Sequence, residues 1–338
     1  MDLGSHRTSR RRLLLACGAA ALPLPALGQS VFSLPGAGRQ PVTIIVPFTP
    51  GAPPDIVARV VAEGLQKRLG GPVVVDNRPG ASGNIGAGLV ARAAPDGHTL
   101  MVHTTTLVMN AGLYASLPYD PIASFAPIAM LTEVDYALVL HPSGGADLAE
   151  FVARAKGRPE ALNYASPGIG TPHHLLMELF QRQAGLRLLH VPYRGTAGAV
   201  TGVTAGEVQA MFMPVSGAAE LTRGGPLRAA AVTAPARLPL LPDSPTLAEG
   251  GVEGVTVRDW FGLLAPARTP PAVLAGLNEA VNAVLASPEA GQALASQGYN
   301  LAGGTAEAFG RRMATDMERW GSLVREAGIT ADGPAPNR

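Results

Sequence analysis

A chain of 338 residues, 47% hydrophobic, is long enough for about two domains whose cores need no cross-links. With 15% charged residues, a formal net charge of +1 and no Lys/Arg block after residue 12, neither nucleic acid nor an anionic membrane surface is an expected partner. The single cysteine, Cys17, lies in a segment expected to be removed, so disulfides, thiol nucleophiles and Cys-ligated metals are excluded together.

In chain order, residues 1–29 read as an export signal: a basic stretch (RTSRRR), an apolar run (LLLACGAAALPLPAL) and small residues around Ala26 and Gly28. SRRRLLL resembles a twin-arginine signal, although ordinary secretion signals also carry paired arginines. LLAC fits a lipoprotein cleavage box, but too few apolar residues precede Cys17 for the usual hydrophobic region. No later apolar run reaches the ~18–20 residues needed to span a bilayer, so a soluble exported product is expected.

Residues 30–40 read as a lead-in. From Pro41 the chain alternates strand and helix patterns: VTIIVPF, DIVARVVAEGLQKRL, VVVDN, NIGAGLVARAA, HTLMVHT. That alternation argues for a parallel sheet flanked by helices. In the first helix Ile56, Val57, Val60, Val61, Leu65 and Leu69 share one face, which should pack on the sheet. A second α/β set follows: FAPIAMLTEV and YALVLHP as strands, DLAEFVARAKG as a helix, LNYASPG as strand and turn, PHHLLMELFQRQAG as a helix, LRLLHVPYRG as a strand, TAGAVTGVTAGEV as a helix. Then come VQAMFMPV, LRAAAVTA, VTVRDWFGLLAPA, two helical stretches at PAVLAGLNEAVNAVLASPEAGQALASQG and TAEAFGRRMATDMERWGSLVREAG, and a tail, TADGPAPNR, that reads as disordered. YALVLHP (136–142) and WFGLLAPA (260–267) are candidate crossings between two lobes, with a ligand cleft between them.

Three loops carry candidate chemistry. In IIVPFTPGAPPDIVARV a strand meets Gly51, and two prolines open the helix, where their missing N–H groups cost nothing. Asp55 then falls near the third helical position, as a capping residue or as a ligand contact. VDNRPGASGNIG leaves consecutive backbone N–H groups with little steric cover just before a helix, an anion site that needs no charged side chain. A P-loop is excluded by the missing Lys and Ser/Thr, and the glycine spacing does not match G-x-G-x-x-G. If both helix beginnings face one cleft they would hold one compact anion, most simply a carboxylate; tight turns alone also explain the glycines. In YASPGIGTPHHLLMELF, Ser166, Gly168, Gly170 and Thr171 form a turn before a helix. Ser166 beside His173 and His174 invites a hydrolase reading, but no G-x-S-x-G elbow surrounds it. Thr104, Thr105 and Thr106 are candidate hydroxyl donors. Asp259 is a candidate acceptor for a ligand ammonium or hydroxyl, with an ion pair to Arg258 or Arg194 as the alternative. No metal spacing is found, and no cofactor is expected.

IIVPFTPGAPPDIVAR, VVVDNRPGASGNIGAGLVARAAPDGHTL, LYASLPYDPIASFAPI, YASPGIGTPHHL, VPYRGTAGAVTGVTAGEV and WFGLLAPARTPPAVLAGLN together resemble the Bug (TctC-like) extracytoplasmic solute receptors of tripartite tricarboxylate transporters. The resemblance implies a two-lobed α/β periplasmic-binding-protein fold (type II-like), each lobe a mainly parallel sheet flanked by helices. It also implies a ligand carboxylate held between the first two strand-to-helix loops, hinge closure, and delivery to membrane partners. By position it carries over Phe48, Gly51, Ala52 and Asp55 from the first loop, Gly80, Ala81, Ser82, Gly83 and Asn84 from the second, and Ser166, Gly168, Gly170, Thr171 and His174 from the far lobe. The chain departs from the family pattern at Ala52, where a second Gly is usual, at Gly198 and Gly202, which replace Pro and Asp, and at Ser124, which replaces Asp. The expected layout is 41–139 with 262–330 as one lobe and 140–261 as the other. The expected protein is a monomeric periplasmic receptor for a small carboxylate, without catalysis, whose partners are membrane transporter subunits. A sensor subunit for a membrane kinase and a hydrolase using Ser166 are the rivals.

Overall fold

The structure, a computed structural model, describes Met1, Leu34 and residues 40–331. The rest of the expected export signal, Cys17 and the tail after Ala331 lie outside the described residues. In chain order β1 (Val42–Val46) leads into α1 (Pro53–Leu69), β2 (Val73–Asn77) into a 3-10 turn (Ala81–Gly83) and α2 (Asn84–Ala91), and β3 (Thr99–Thr104) into α3 (Thr106–Leu113). These strands run parallel in the order β2-β1-β3, with Ile44 opposite both Val75 and Leu100. All three strand-to-helix turns therefore leave one edge of the sheet, where open α/β sheets hold their ligands.

Local chemistry sets α1. Two prolines occupy its first turn and Gly70, at φ 67°, ends it in the left-handed region. Its Val57, Val61, Leu65 and Leu69 are buried against the sheet, each worth about 2 kcal/mol of apolar burial.

β4 (Phe125–Leu140) is one strand of 16 residues, whereas the sequence suggested two. Asp135 looks like a break, but its carboxylate accepts from Arg258 Nε at 2.8 Å and Asn300 Nδ2 at 2.8 Å, so the charge is matched inside a continuous strand. After it come α4 (Leu148–Gly157), β5 (Asn163–Ser166), α5 (Pro172–Ala184), β6 (Leu189–Pro192), α6 (Thr196–Ala205), β7 (Ala210–Pro214), α7 (Val215–Thr222) and β8 (Arg228–Val232). The chain closes with β9 (Arg258–Pro266), α8 (Pro271–Leu285), α9 (Pro288–Ala295), β10 (Asn300–Gly303) and α10 (Ala306–Ala327). The stretch read as a single helix over 271–298 splits because Ser287 caps a new helix at Pro288, accepting from Ala290 N at 3.3 Å. Helices α3 and α7 and strand β10 were not foreseen.

The fold is two-lobed α/β. β4 pairs antiparallel with β9 and β10 from Phe125 to Asp135, then with β7 and β8 from Tyr136 to Leu140, while β5 runs parallel to β6 and β7. The change of partner falls at Asp135/Tyr136. On the return, β9 pairs with β3 and β4 from Arg258 onward. Buried Thr233 ties the two passages together: its N–H donates to Tyr136 O at 2.9 Å, its hydroxyl to Val257 O at 2.7 Å, and the hydroxyl accepts from Tyr136 N at 3.0 Å. The expected boundaries at 139/140 and 261/262 fall inside β4 and β9, a few residues beyond these points.

Candidate functional site

The first turn follows β1. Gly51 takes φ 80°, a conformation that suits glycine, and its N–H donates to Asp55 Oδ2 at 2.8 Å. The Ala52 N–H donates to Thr49 O at 3.1 Å, and Pro53 and Pro54 have none to offer. Asp55 is buried and also accepts from Arg59 Nε and Asn77 Nδ2, both at 2.9 Å. Burial alone would raise its carboxyl, but the bonds from Arg59, Gly51 and Asn77 carry it below the ordinary carboxylate range. Asn77 also donates to Phe48 O at 3.1 Å. In the first turn Gly51 and Ala52 thus spend their amides inside the protein, and Asp55 is an anchor that stands outside the cavity lining. Ala52 has φ −67°, so the departure from a second glycine costs nothing.

The second turn is built oppositely. Ala81 and Ser82 both sit at positive φ, 48° and 54°, which is costly for residues with a Cβ. Gly83 N donates to Gly80 O at 3.0 Å and Asn84 N to Ala81 O, but the Ala81 and Ser82 N–H groups find no partner among the described residues. The Ser82 carbonyl accepts from Asn110 Nδ2 and its hydroxyl from the Tyr114 hydroxyl, both at 3.0 Å, so the strained turn is braced from behind. Gly83 is buried on His103; a Cβ there would lie 2.7 Å from the imidazole Nε2. Asn84, expected to face ligand, turns inward instead, its Oδ1 accepting from Asn110 Nδ2 and the Tyr119 hydroxyl at 2.7 Å each. Burial lowers His103 to about 4 and keeps it neutral, with Phe48 edge-on at 5.4 Å.

The third turn, after β3, carries the threonines. Thr105 N donates to Asp259 Oδ1 at 3.2 Å, and its hydroxyl accepts from Trp260 N at 3.1 Å. Thr105 is thus an internal clasp and does not line the large cavity. Thr104 and Thr106 do line it, their hydroxyls 3.0 Å apart. Asp259 lines it too, accepting additionally from the Tyr136 hydroxyl at 3.4 Å. The alternative of an Arg258 ion pair fails, because Arg258 turns to Glu133 and Asp135.

In the far lobe, Ser166 is fully buried. Its hydroxyl donates to Gly168 O at 3.0 Å and lies 2.7 Å from His190 Nε2. The Gly168 carbonyl also takes the Thr171 hydroxyl at 2.7 Å. His174 Nδ1 accepts from Gly170 N at 3.0 Å, and its ring stacks on His190 with centroids 4.0 Å apart. Burial lowers His174 to about 3 and His190 to about 4. Ser166, Gly168 and His174 are therefore the frame of the loop; Gly170 and Thr171 are its wall. Gly202 is where the Tyr193 ring packs: a Cβ there would lie 2.1 Å from the phenol oxygen.

The cavity between these turns has a volume of about 520 Å³. It gathers Phe48, Ala52, Ser82, Thr104, Gly170, Thr171 and Asp259 from the expected set; Gly51, Asp55, Gly80, Ala81, Gly83, Asn84, Thr105, Ser166, Gly168 and His174 stand beside or behind it. Sequence reasoning missed Tyr136, His173, Met213, Phe261 and Tyr299 on its walls. Tyr136 and Phe261 lie in the proposed crossings, a signal that a cleft must use them; Tyr299 comes from a distant connection with no local mark. His173 was set aside as a first-turn helical residue, yet α5 begins at the cleft.

Residues 57–329 match the family model described as the tripartite tricarboxylate transporter family receptor, TctC. Protein BugT of Bordetella pertussis is 36% identical over 292 residues, 86% of this chain and 90% of that protein. The structure of the periplasmic binding protein BugD is 32% identical with a TM-score of 0.74, covering 86% of this chain and 98% of that one. Rpa4515 of R. palustris, solved with adipate, is 33% identical with a TM-score of 0.77, covering 87% and 99%.

Proposed function

The chain belongs to the tripartite tricarboxylate transporter receptor family, TctC, and we propose that it is a periplasmic receptor that seats the carboxylate of a small metabolite on the Ala81 and Ser82 amides. One observation carries the placement. Of the three helix beginnings that follow β1, β2 and β3, the first and third have an internal carboxylate, Asp55 or Asp259, that takes the turn's N–H, whereas the second leaves the Ala81 and Ser82 N–H groups without a partner among the described residues. An incoming carboxylate supplies there what Asp55 supplies at Gly51. Two charge-assisted bonds are worth roughly 3–6 kcal/mol, and apolar contact with Phe48, Phe261 and Met213 adds the remainder needed for micromolar binding.

Closure would bend the two passages at Asp135/Tyr136 and Val257/Arg258, where strand partners change, and would bring Gly170 and Thr171 over the ligand. Adipate in the related Rpa4515 supports a carboxylic acid as ligand, and BugD supports a periplasmic setting, consistent with an export signal at 1–29. A transporter membrane subunit is then the receiving partner. The hydrolase alternative gains no support: Ser166 is buried, its neighbour is His190, and neither lines the cavity. The test is native mass spectrometry of the purified protein for a retained acid, followed by thermal shift with organic acids. A saturating acid should stabilise by about 2.7 kcal/mol at a hundredfold excess over Kd, and its amide should not; equal shifts by acid and amide would reject the reading.

A further inference from the structure

The cleft holds a buried carboxylate that the receptor function does not explain. Asp259 is 6% exposed and lines the cavity, yet its hydrogen-bond donors among the described residues are all neutral: Thr105, through its N–H at 3.2 Å and its hydroxyl, and the Tyr136 hydroxyl at 3.4 Å. Its neighbour Arg258 is committed to Glu133 and Asp135. Arg312, the other cation near this strand, is committed to Glu133 and Asp316. Among the described residues no Lys or Arg lines the cavity. On the same wall His173, from α5, presents a buried Nδ1 that has no hydrogen-bond partner among the described residues, with its ring edge-on to Tyr136 at 5.3 Å.

The cavity therefore carries a negative charge before any ligand arrives. A ligand carboxylate on the second turn adds a like charge, and a dicarboxylate would add two, with no protein cation to answer either. An ammonium on the ligand cancels the added charge: it pairs with Asp259, and a zwitterion leaves the closed cleft with the single negative charge it had before, now seated on the amides of the second turn. We infer that the ligand is an amino acid-type zwitterion, its carboxylate on the Ala81–Ser82 amides and its ammonium donating to Asp259, with His173 Nδ1 as a further acceptor. This rests on the carboxylate reading above and goes beyond it by fixing the second functional group. The aromatic walls, Phe48, Tyr136, Phe261 and Tyr299, suit an ammonium and an apolar body together. In the unliganded protein burial raises Asp259 to about 6 against the Thr105 and Tyr136 bonds, as expected for a carboxylate still lacking its cation.

Matched acids that differ only by an amino group test it: phenylalanine against 3-phenylpropionate, 2-aminohexanoate against hexanoate, and glutamate against glutarate, titrated calorimetrically into the parent and Asp259→Asn. The parent should favour the amino member of the pair that fits by about tenfold or more. In Asp259→Asn, where the amide oxygen still accepts from Thr105, that ratio should fall to about one. A parent that binds the plain acid or glutarate as tightly as its amino counterpart overturns the inference, and so does an unchanged ratio in the variant. The parent's ratio decides even if the variant misfolds. Phenylalaninamide separates the two claims: binding equal to phenylalanine defeats the carboxylate seat while leaving the ammonium site standing. Binding by none of the probes overturns both.

Discussion

The turn after β1 and the turn after β2 look alike in sequence, each an apolar strand, then a turn holding Pro-Gly-Ala, then a helix, but they use their amides in opposite ways. In the first, Asp55 reaches back from the helix to take the Gly51 N–H, and its own charge is answered by Arg59 and Asn77. In the second no carboxylate lies within the turn; Ala81 and Ser82 are held at positive φ and their N–H groups stay available. A helix beginning is thus an anion site only if the chain has not already supplied the anion. The first turn has filled its own anion place, and the second is the proposed seat for an incoming one.

The largest effect should come from closing the second turn. Ser82→Pro removes one donor and forces φ negative, so calorimetry should show at least a hundredfold loss of ligand affinity, about 3 kcal/mol, while Ser82→Gly, which keeps both φ and N–H, binds normally. Equal affinity in the two variants would erase the distinction between the turns. Asp55→Ala turns the first turn into a copy of the second: chemical denaturation should show a loss of about 2 kcal/mol, discounted for the exposed Arg59 partner, and added acetate should restore part of it by filling the vacated place. No response to acetate would mean that the first turn is not held by an anion.

The third turn sharpens the comparison through pH. Asp259 keeps its proton to about pH 6, above the ordinary carboxylate range near 4, chiefly because it is buried. The native state therefore binds that proton more tightly than the unfolded chain, and this carboxyl's contribution to stability falls as pH rises from about 4 to about 6. Asp259→Asn should raise the stability of the unliganded protein at pH 7.5 by about 2 kcal/mol and leave it unchanged near pH 4. A melting temperature below the parent's at both pH values would show that Asp259 is already compensated. The smallest effect is expected for Ala81→Gly, which relieves a left-handed alanine and should stabilise by up to about 1 kcal/mol without changing affinity. A fall in stability would show that the chain-entropy cost of glycine exceeds the strain it relieves.

Much of the fold was legible because its signals are local. The prolines at the start of α1 and Gly70 at its end, the β-branched runs of β1 and β2, and the motifs shared with TctC receptors all act within a few residues, where steric and hydrogen-bond preferences are fixed by the sequence itself. β4 was misread because Asp135 marks a break only if its charge is unanswered, and the arginine that answers it lies far along the chain. The site was half legible for the same reason. Glycines announced the turns, but not whether an amide was already taken.

The sequence by itself determined an α/β receptor with glycine-rich turns at the ends of its first strands, because strand, turn and helix preferences and the family motifs are carried by neighbouring residues. Only the tertiary structure decided which amides remain free and that Asp259 stands in the cleft without a cation. Those facts depend on what partners distant segments deliver to a buried polar group, and burial makes an unmatched donor or charge costly enough that the nearest complementary group, internal or incoming, settles its use.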